Sequence, residues 1–123
     1  MNNLNVLILD DDRLQQNLIS RYLGDVYKLF PCYSYNQAEL LLEKNPEGFF
    51  KAFLIDLFLG EGKTGLEFIE GHLNPCKTIA ISGYLTGEVV KQLINLGVFA
   101  AHQKPVELYS LFISLNSIIR CEE

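Results

Sequence analysis

The sequence predicts an α/β sandwich, a five-stranded parallel sheet with helices on both faces. Two observations carry that expectation. Five short apolar runs of strand length alternate strictly with five segments of helical period. The runs VLIL and AFLI are apolar at every position rather than at every second one. Strict alternation implies right-handed βαβ crossovers, and continuous apolarity is what strands covered on both faces require.

The first strand is expected over residues 6–9, and the helix after it carries Leu14, Leu18, Ile19, Tyr22 and Leu23 before Gly24 and Asp25 end it. A second strand is read over 27–30. Its helix is capped within Ser34, Tyr35 and Asn36, buries Ala38, Leu41 and Leu42, and is closed by Asn45, Pro46 and Gly48. The third strand, 52–55, leads into a loop crowded with Gly60, Gly62 and Gly65, then a helix with Leu66, Phe68 and Ile69. Asn74 and Pro75 precede the fourth strand, 78–81, and Gly97 stops a helix built on Val89, Val90, Leu93 and Ile94. The fifth strand is expected over 98–103. The last helix carries Leu108, Leu111, Phe112, Leu115, Ile118 and Ile119.

A chain of 123 residues has room for one ordinary core, and it reads as a single domain over 1–123 with no output domain. Hydrophobic content of 49%, with four Pro and nine Gly, excludes disordered and repetitive classes. No apolar run approaches the ~20 residues of a membrane helix, and the opening MNNLNVLILDDD has no basic segment of the signal-peptide kind. A soluble, cytoplasmic protein is expected. Ten Lys and Arg against 15 Asp and Glu, net −5, argue against direct nucleic-acid contact. Cys32, Cys76 and Cys121 form no CxxC pair, as suits thiols in a reducing compartment, and His72 and His102 make no zinc set with them.

In an open parallel sheet, ligands bind beyond the carboxyl ends of the strands. Asp10, Asp11 and Asp12 follow the first run, Asp56 the third, Ser82 the fourth, and Lys104 with Pro105 the fifth. Taken singly, each has an ordinary explanation: Asp caps helices, and Asp, Ser-Gly and Lys-Pro are common in turns. Their joint occurrence at one end of one sheet points to chemistry. Clustered carboxylates repel unless one is protonated or a hard cation is bound. Asp11 and Asp56, with Asp10 beside them, match the oxygen donors that Mg²⁺ takes. Lys104 then meets a phosphoryl oxygen and Ser82 donates to another, a set suited to phosphoryl transfer onto a carboxylate.

With these residues the sequence resembles the receiver domain of two-component response regulators, over essentially the whole chain. The stretch YKLFPCYSYNQAELLLEKNP also looks like that family's second strand and second helix. The resemblance implies a flavodoxin-like (βα)5 fold. It implies Mg²⁺ as cofactor, organised by Asp10 and Asp11 and completed by Asp56 and the backbone carbonyl of Phe58. Asp56 would accept a phosphoryl group from phosphohistidine on a histidine kinase or phosphotransfer protein. Ser82 would move toward the phosphoryl group, Lys104, preceding a cis peptide to Pro105, would pair with it, and a downstream effector protein would dock in response. Such a module is not an enzyme toward other substrates, although it promotes its own phosphorylation and dephosphorylation. Three departures stand out: Ala101 replaces the usual Tyr or Phe switch, Gly65 sits one residue later than the family's glycine, and both Phe58 and Tyr84 are aromatic.

Two rival readings use the same residues. LILDDDR is similar to the DxD motif of HAD-like Mg²⁺-dependent phosphatases, with Asp10 as nucleophile and Asp12 as acid/base. Against it, only Glu107, Glu122 and Glu123 follow Lys104, none after a strand, where that family needs an acidic pair. The other rival is a receiver-like adaptor that docks partners without phosphorylation, prompted by Ala101 and the irregular loop.

Overall fold

The computed structural model describes residues 4–60 and 64–121. Strands β1 (Asn5–Leu9), β2 (Lys28–Cys32), β3 (Ala52–Asp56), β4 (Thr78–Ser82) and β5 (Ala100–Gln103) pair in parallel in the order β2-β1-β3-β4-β5. Helices α1 (Arg13–Leu23), α2 (Tyr35–Lys44), α3 (Gly65–His72), α4 (Gly87–Leu96) and α5 (Leu108–Cys121) connect and cover them, with one 3-10 turn at Pro75–Lys77. This is the parallel sandwich that the alternation predicts, in the flavodoxin-like form that the resemblance implies.

The pleat of β1 explains why its run is apolar throughout. Val6 and Ile8 join Leu54, Ile79 and Ile81 under Ile19 and Leu23 of α1 and Leu111, Leu115 and Ile118 of α5. Leu7 and Leu9 face the other way, joining Ile55 and Ala80 beneath Ala38 of α2, Phe68 and Ile69 of α3 and Leu93 of α4. Two separate apolar layers result, and β1 supplies both. Chain order reverses between β1 and β3, which opens a crevice at their carboxyl ends.

Local chemistry sets the helix ends. Asp12 caps α1 by accepting the N–H groups of Leu14 and Gln15, Ser34 caps α2, and Thr64 with Glu67 forms a capping box on α3. Thr86 caps α4 at its start, and Gly97 ends it with φ 85°, a conformation that favours glycine. No helix among the described residues is long and apolar enough to cross a membrane.

The central strands differ from expectation by one residue at an end, and the two edge strands by two. β2 runs from Lys28 to Cys32, straight through Pro31. Lys28 donates to Leu4 and Cys32 accepts from Asp10, so strand parity turns the nitrogen of Pro31 away from β1, toward the open edge where a missing N–H costs no pairing. β5 begins at Ala100 rather than at Val98, because the Val98 N–H closes α4 on Leu93 and the Phe99 N–H bonds Pro75 and Thr78. Of the loop glycines, Gly62 lies outside the described residues, as do Glu122 and Glu123.

Candidate functional site

Asp10 stands one residue beyond β1. Its N–H continues the ladder to the Cys32 carbonyl at 3.0 Å, and its Oδ1 accepts the Asp12 N–H at 2.9 Å. Asp56 is the last residue of β3, with Oδ1 accepting the Phe58 N–H at 3.1 Å. Lys104 follows β5, its N–H donating to the Ser82 carbonyl at 2.8 Å, and its peptide to Pro105 is cis. These placements converge. Lys104 Nζ lies 2.9 Å from Asp56 Oδ2 and 3.2 Å from Asp10 Oδ2. Asp10, Asp11 and Asp56 each offer a carboxylate oxygen, all within 4.8 Å of one another.

Asp10 and Asp56 are buried and Asp11 is exposed. Burial pushes the Asp10 carboxyl up to about 6; the negative charge of Asp56 adds to the rise, while the Asp12 N–H and Lys104 oppose it. For Lys104, burial works against the charge, but the hydrogen bond to Asp56 and the fields of both carboxylates outweigh it and hold the ammonium above the usual lysine range. Two buried carboxylates thus share the Lys104 ammonium, with the exposed carboxylate of Asp11 beside them. Asp10 Oδ2 is buried with no hydrogen-bond partner beyond its ion pair with Lys104. A hard oxygen set with surplus negative charge fits a divalent cation such as Mg²⁺.

The other sequence candidates surround this group. Ser82 ends β4, one residue past the position paired with Asp56. Its hydroxyl donates to the Tyr84 carbonyl at 3.2 Å and accepts the Tyr84 N–H at 3.0 Å. Phe58 and Tyr84 present rings to solvent, 48% and 77% exposed. Ala101 is exposed on β5. Asp12 is committed to capping α1, which leaves it badly placed for acid/base work. Glu107 bonds the N–H groups of Tyr109 and Ser110 in the same capping manner.

Three neighbours of this group have roles that sequence reasoning did not give them. Gly65 packs directly on the backbone of Asp56 and Leu57. Arg13 lies over the Tyr33 ring, 4.1 Å from its centroid. Gln16 is buried beneath the acidic run. The available signal for Gln16 was its spacing, since 16, 19 and 23 share a helical face whose other two members are apolar.

No protein-family profile and no curated protein matches the chain. Solved structures do. A chain described as a CheY-like response regulator receiver domain protein from Methanospirillum hungatei superposes with TM-score 0.84 at 24% identity, covering 97% of this chain and 95% of that one. A response regulator from Burkholderia pseudomallei, described with a phosphorylated aspartic acid, calcium ion and citrate, gives TM-score 0.76 at 22% identity over 97% of this chain and 72% of that one. A chain described as an adenylate cyclase from Rhodopirellula baltica gives TM-score 0.84 at 23% identity, covering 97% and 89%. The fold is therefore that of response-regulator receiver domains.

Proposed function

We propose that this chain is the phosphoacceptor module of a two-component or phosphorelay pathway. Asp56 takes a phosphoryl group from phosphohistidine on a histidine kinase or phosphotransfer protein, with Mg²⁺ as cofactor, and the phosphorylated domain signals by docking an effector protein. One observation carries the reading: the Asp56 carboxylate at 2.9 Å from Lys104 Nζ, inside the three-carboxylate group at the crevice between β1 and β3. The likeness to a structure described with a phosphorylated aspartic acid supports it.

In the transfer, an Asp56 carboxylate oxygen forms the new bond to phosphorus while the phosphorus–nitrogen bond of the donor breaks and the imidazole leaves with its electron pair. The Phe58 N–H steadies Asp56 through Oδ1. The ammonium of Lys104 is within reach of a phosphoryl oxygen on Asp56, and the Ser82 hydroxyl can leave the Tyr84 carbonyl to donate to another. Asp10, Asp11, Asp56 and the Phe58 carbonyl would hold Mg²⁺, which when bound supplies positive charge against the phosphoryl oxygens. We place the module in the cytoplasm as a single domain over 1–123, and the net charge of −5 favours protein partners over nucleic acid.

Incubation with Mg²⁺ and acetyl phosphate, read by intact mass, tests the reading. The expected result is a gain of one phosphoryl group that Asp56→Asn abolishes. Labelling that survives Asp56→Asn and disappears in Asp10→Asn would instead support the phosphatase reading, and no gain at all the adaptor.

A further inference from the structure

Gln16 is a polar side chain in the second turn of α1, yet it is only 1% exposed. Its amide nitrogen lies 3.2 Å from the Ile8 carbonyl oxygen, 3.1 Å from that of Asp10 and 2.9 Å from that of Cys32. All three neighbours are acceptors, so the nitrogen is the inward atom, and the amide oxygen is buried without a partner. The three carbonyls belong to the place where β1 and β2 end and the acidic run begins. The carbonyl of Asp10 lies in the peptide plane that joins Asp10 to Asp11, the two acidic residues at the mouth of the crevice. Holding that plane restricts ψ of Asp10 and φ of Asp11, and hence the directions in which both side chains leave the backbone.

We infer that Gln16 is a positioning residue for the cation site, fixing the Asp10–Asp11 peptide from below through its side-chain amide. This rests on the phosphoacceptor reading, since it concerns the same carboxylates. Partners that orient metal ligands commonly matter by 10–100-fold in affinity. Gln16→Met keeps the length of the side chain and removes both N–H donors. Gln16→Asn keeps the amide but withdraws it by one methylene, out of reach of all three carbonyls together.

The test is Mg²⁺ titration by calorimetry of wild type, Gln16→Met, Gln16→Asn and Ile118→Val, the last a buried change in α5 remote from the acidic run. Amide chemical shifts of Asp11 and Asp12 are recorded on the metal-free proteins. A rise of about 10-fold in Mg²⁺ dissociation constant in either Gln16 variant, with displaced Asp11 and Asp12 amides and no such rise in Ile118→Val, is the expected result. Unchanged Mg²⁺ affinity in a folded Gln16 variant overturns the positioning role and leaves the phosphoacceptor reading standing. A matching loss of affinity in Ile118→Val, scaled to its loss of thermal stability, also overturns it. Wild type that neither binds Mg²⁺ nor takes a phosphoryl group overturns both.

Discussion

The backbone of Gly65 lies against that of Asp56: a Cβ on residue 65 would stand 2.7 Å from the Asp56 carbonyl oxygen and 2.6 Å from the Cα of Leu57. The Gly65 N–H donates to the Leu57 carbonyl at 2.7 Å, so the first turn of α3 rests on the strand end that carries Asp56. Both obstacles are main chain and cannot rotate aside. Gly65→Ala is expected to lower stability by about 1–3 kcal/mol and to slow phosphorylation of Asp56, as read by urea melts and labelling time courses. Wild-type values for both would show that α3 can lift without disturbing the strand.

Asp11 and Asp12 are adjacent acids with different employment. Asp11 offers an oxygen to the three-carboxylate group, whereas Asp12 accepts two N–H groups at the start of α1. Asp11→Ala should remove most Mg²⁺-dependent labelling with little change in melting. Asp12→Ala should cost about 1 kcal/mol of stability as a lost cap while labelling continues. A reversal of these two phenotypes would favour the DxD reading, in which Asp12 is the acid/base.

Asp10 makes stability depend on pH in a defined direction. Its ordinary value is 3.8 and burial raises it to about 6 in the folded protein. Below the lower value the carboxyl is protonated in both states and contributes nothing. Between the two values the unfolded chain ionises first, so metal-free stability falls as pH rises, and above about 6 the loss is constant. Asp10→Asn should therefore stabilise the metal-free protein near neutral pH by roughly 1–3 kcal/mol, and wild-type Mg²⁺ affinity should weaken as pH drops through about 6. Thermal melts and calorimetry across that window check both. An Asp10→Asn protein less stable than wild type at neutral pH contradicts the assignment.

Signal transmission should pass through Tyr84. The Ser82 hydroxyl holds both the N–H and the carbonyl of Tyr84, so turning it toward a phosphoryl group frees both and requires the segment leading to Thr86 and α4 to rearrange. Ala101 has no ring to swing inward, and a population shift needs an element whose contacts differ between states. Backbone shifts on adding beryllofluoride, a phosphoryl mimic, should centre on residues 84–90 and change in Tyr84→Ala. Large shifts confined to β5 and indifferent to Tyr84→Ala would be the contrary outcome.

The central strands were legible because β1 and β3 are buried on both faces, β1 running straight into Asp10 and β3 ending on Asp56, so their apolar runs and their chemistry share a boundary. β2 and β5 were each displaced by about one pair of residues, because an edge strand is half exposed and its limits follow the neighbour it pairs with. Asp12 was readable as a cap from the residues beside it. Gln16 was not, since its three carbonyls come from two strands and meet only once β1 and β2 pair. The position of Gly65 was evident from the sequence, but its reason, the approach of α3 to the backbone at Asp56, arises only in three dimensions.

The two-sided burial of β1 carries a consequence for folding. Val6 and Ile8 exchanged with Leu7 and Leu9 would still present aliphatic groups to both layers, so hydrophobicity alone hardly distinguishes the correct alignment from one slipped by a single residue. The polar ends make the distinction. Asn5 is buried and its amide donates to the Phe49 carbonyl at 3.0 Å, and at the other end the carbonyls of Ile8 and Asp10 meet Gln16. A slipped strand would strand these groups in an apolar interior with their hydrogen bonds unmade. The buried amides at either end of β1 thus specify its register, because a strand slipped by one residue would leave them unpaired.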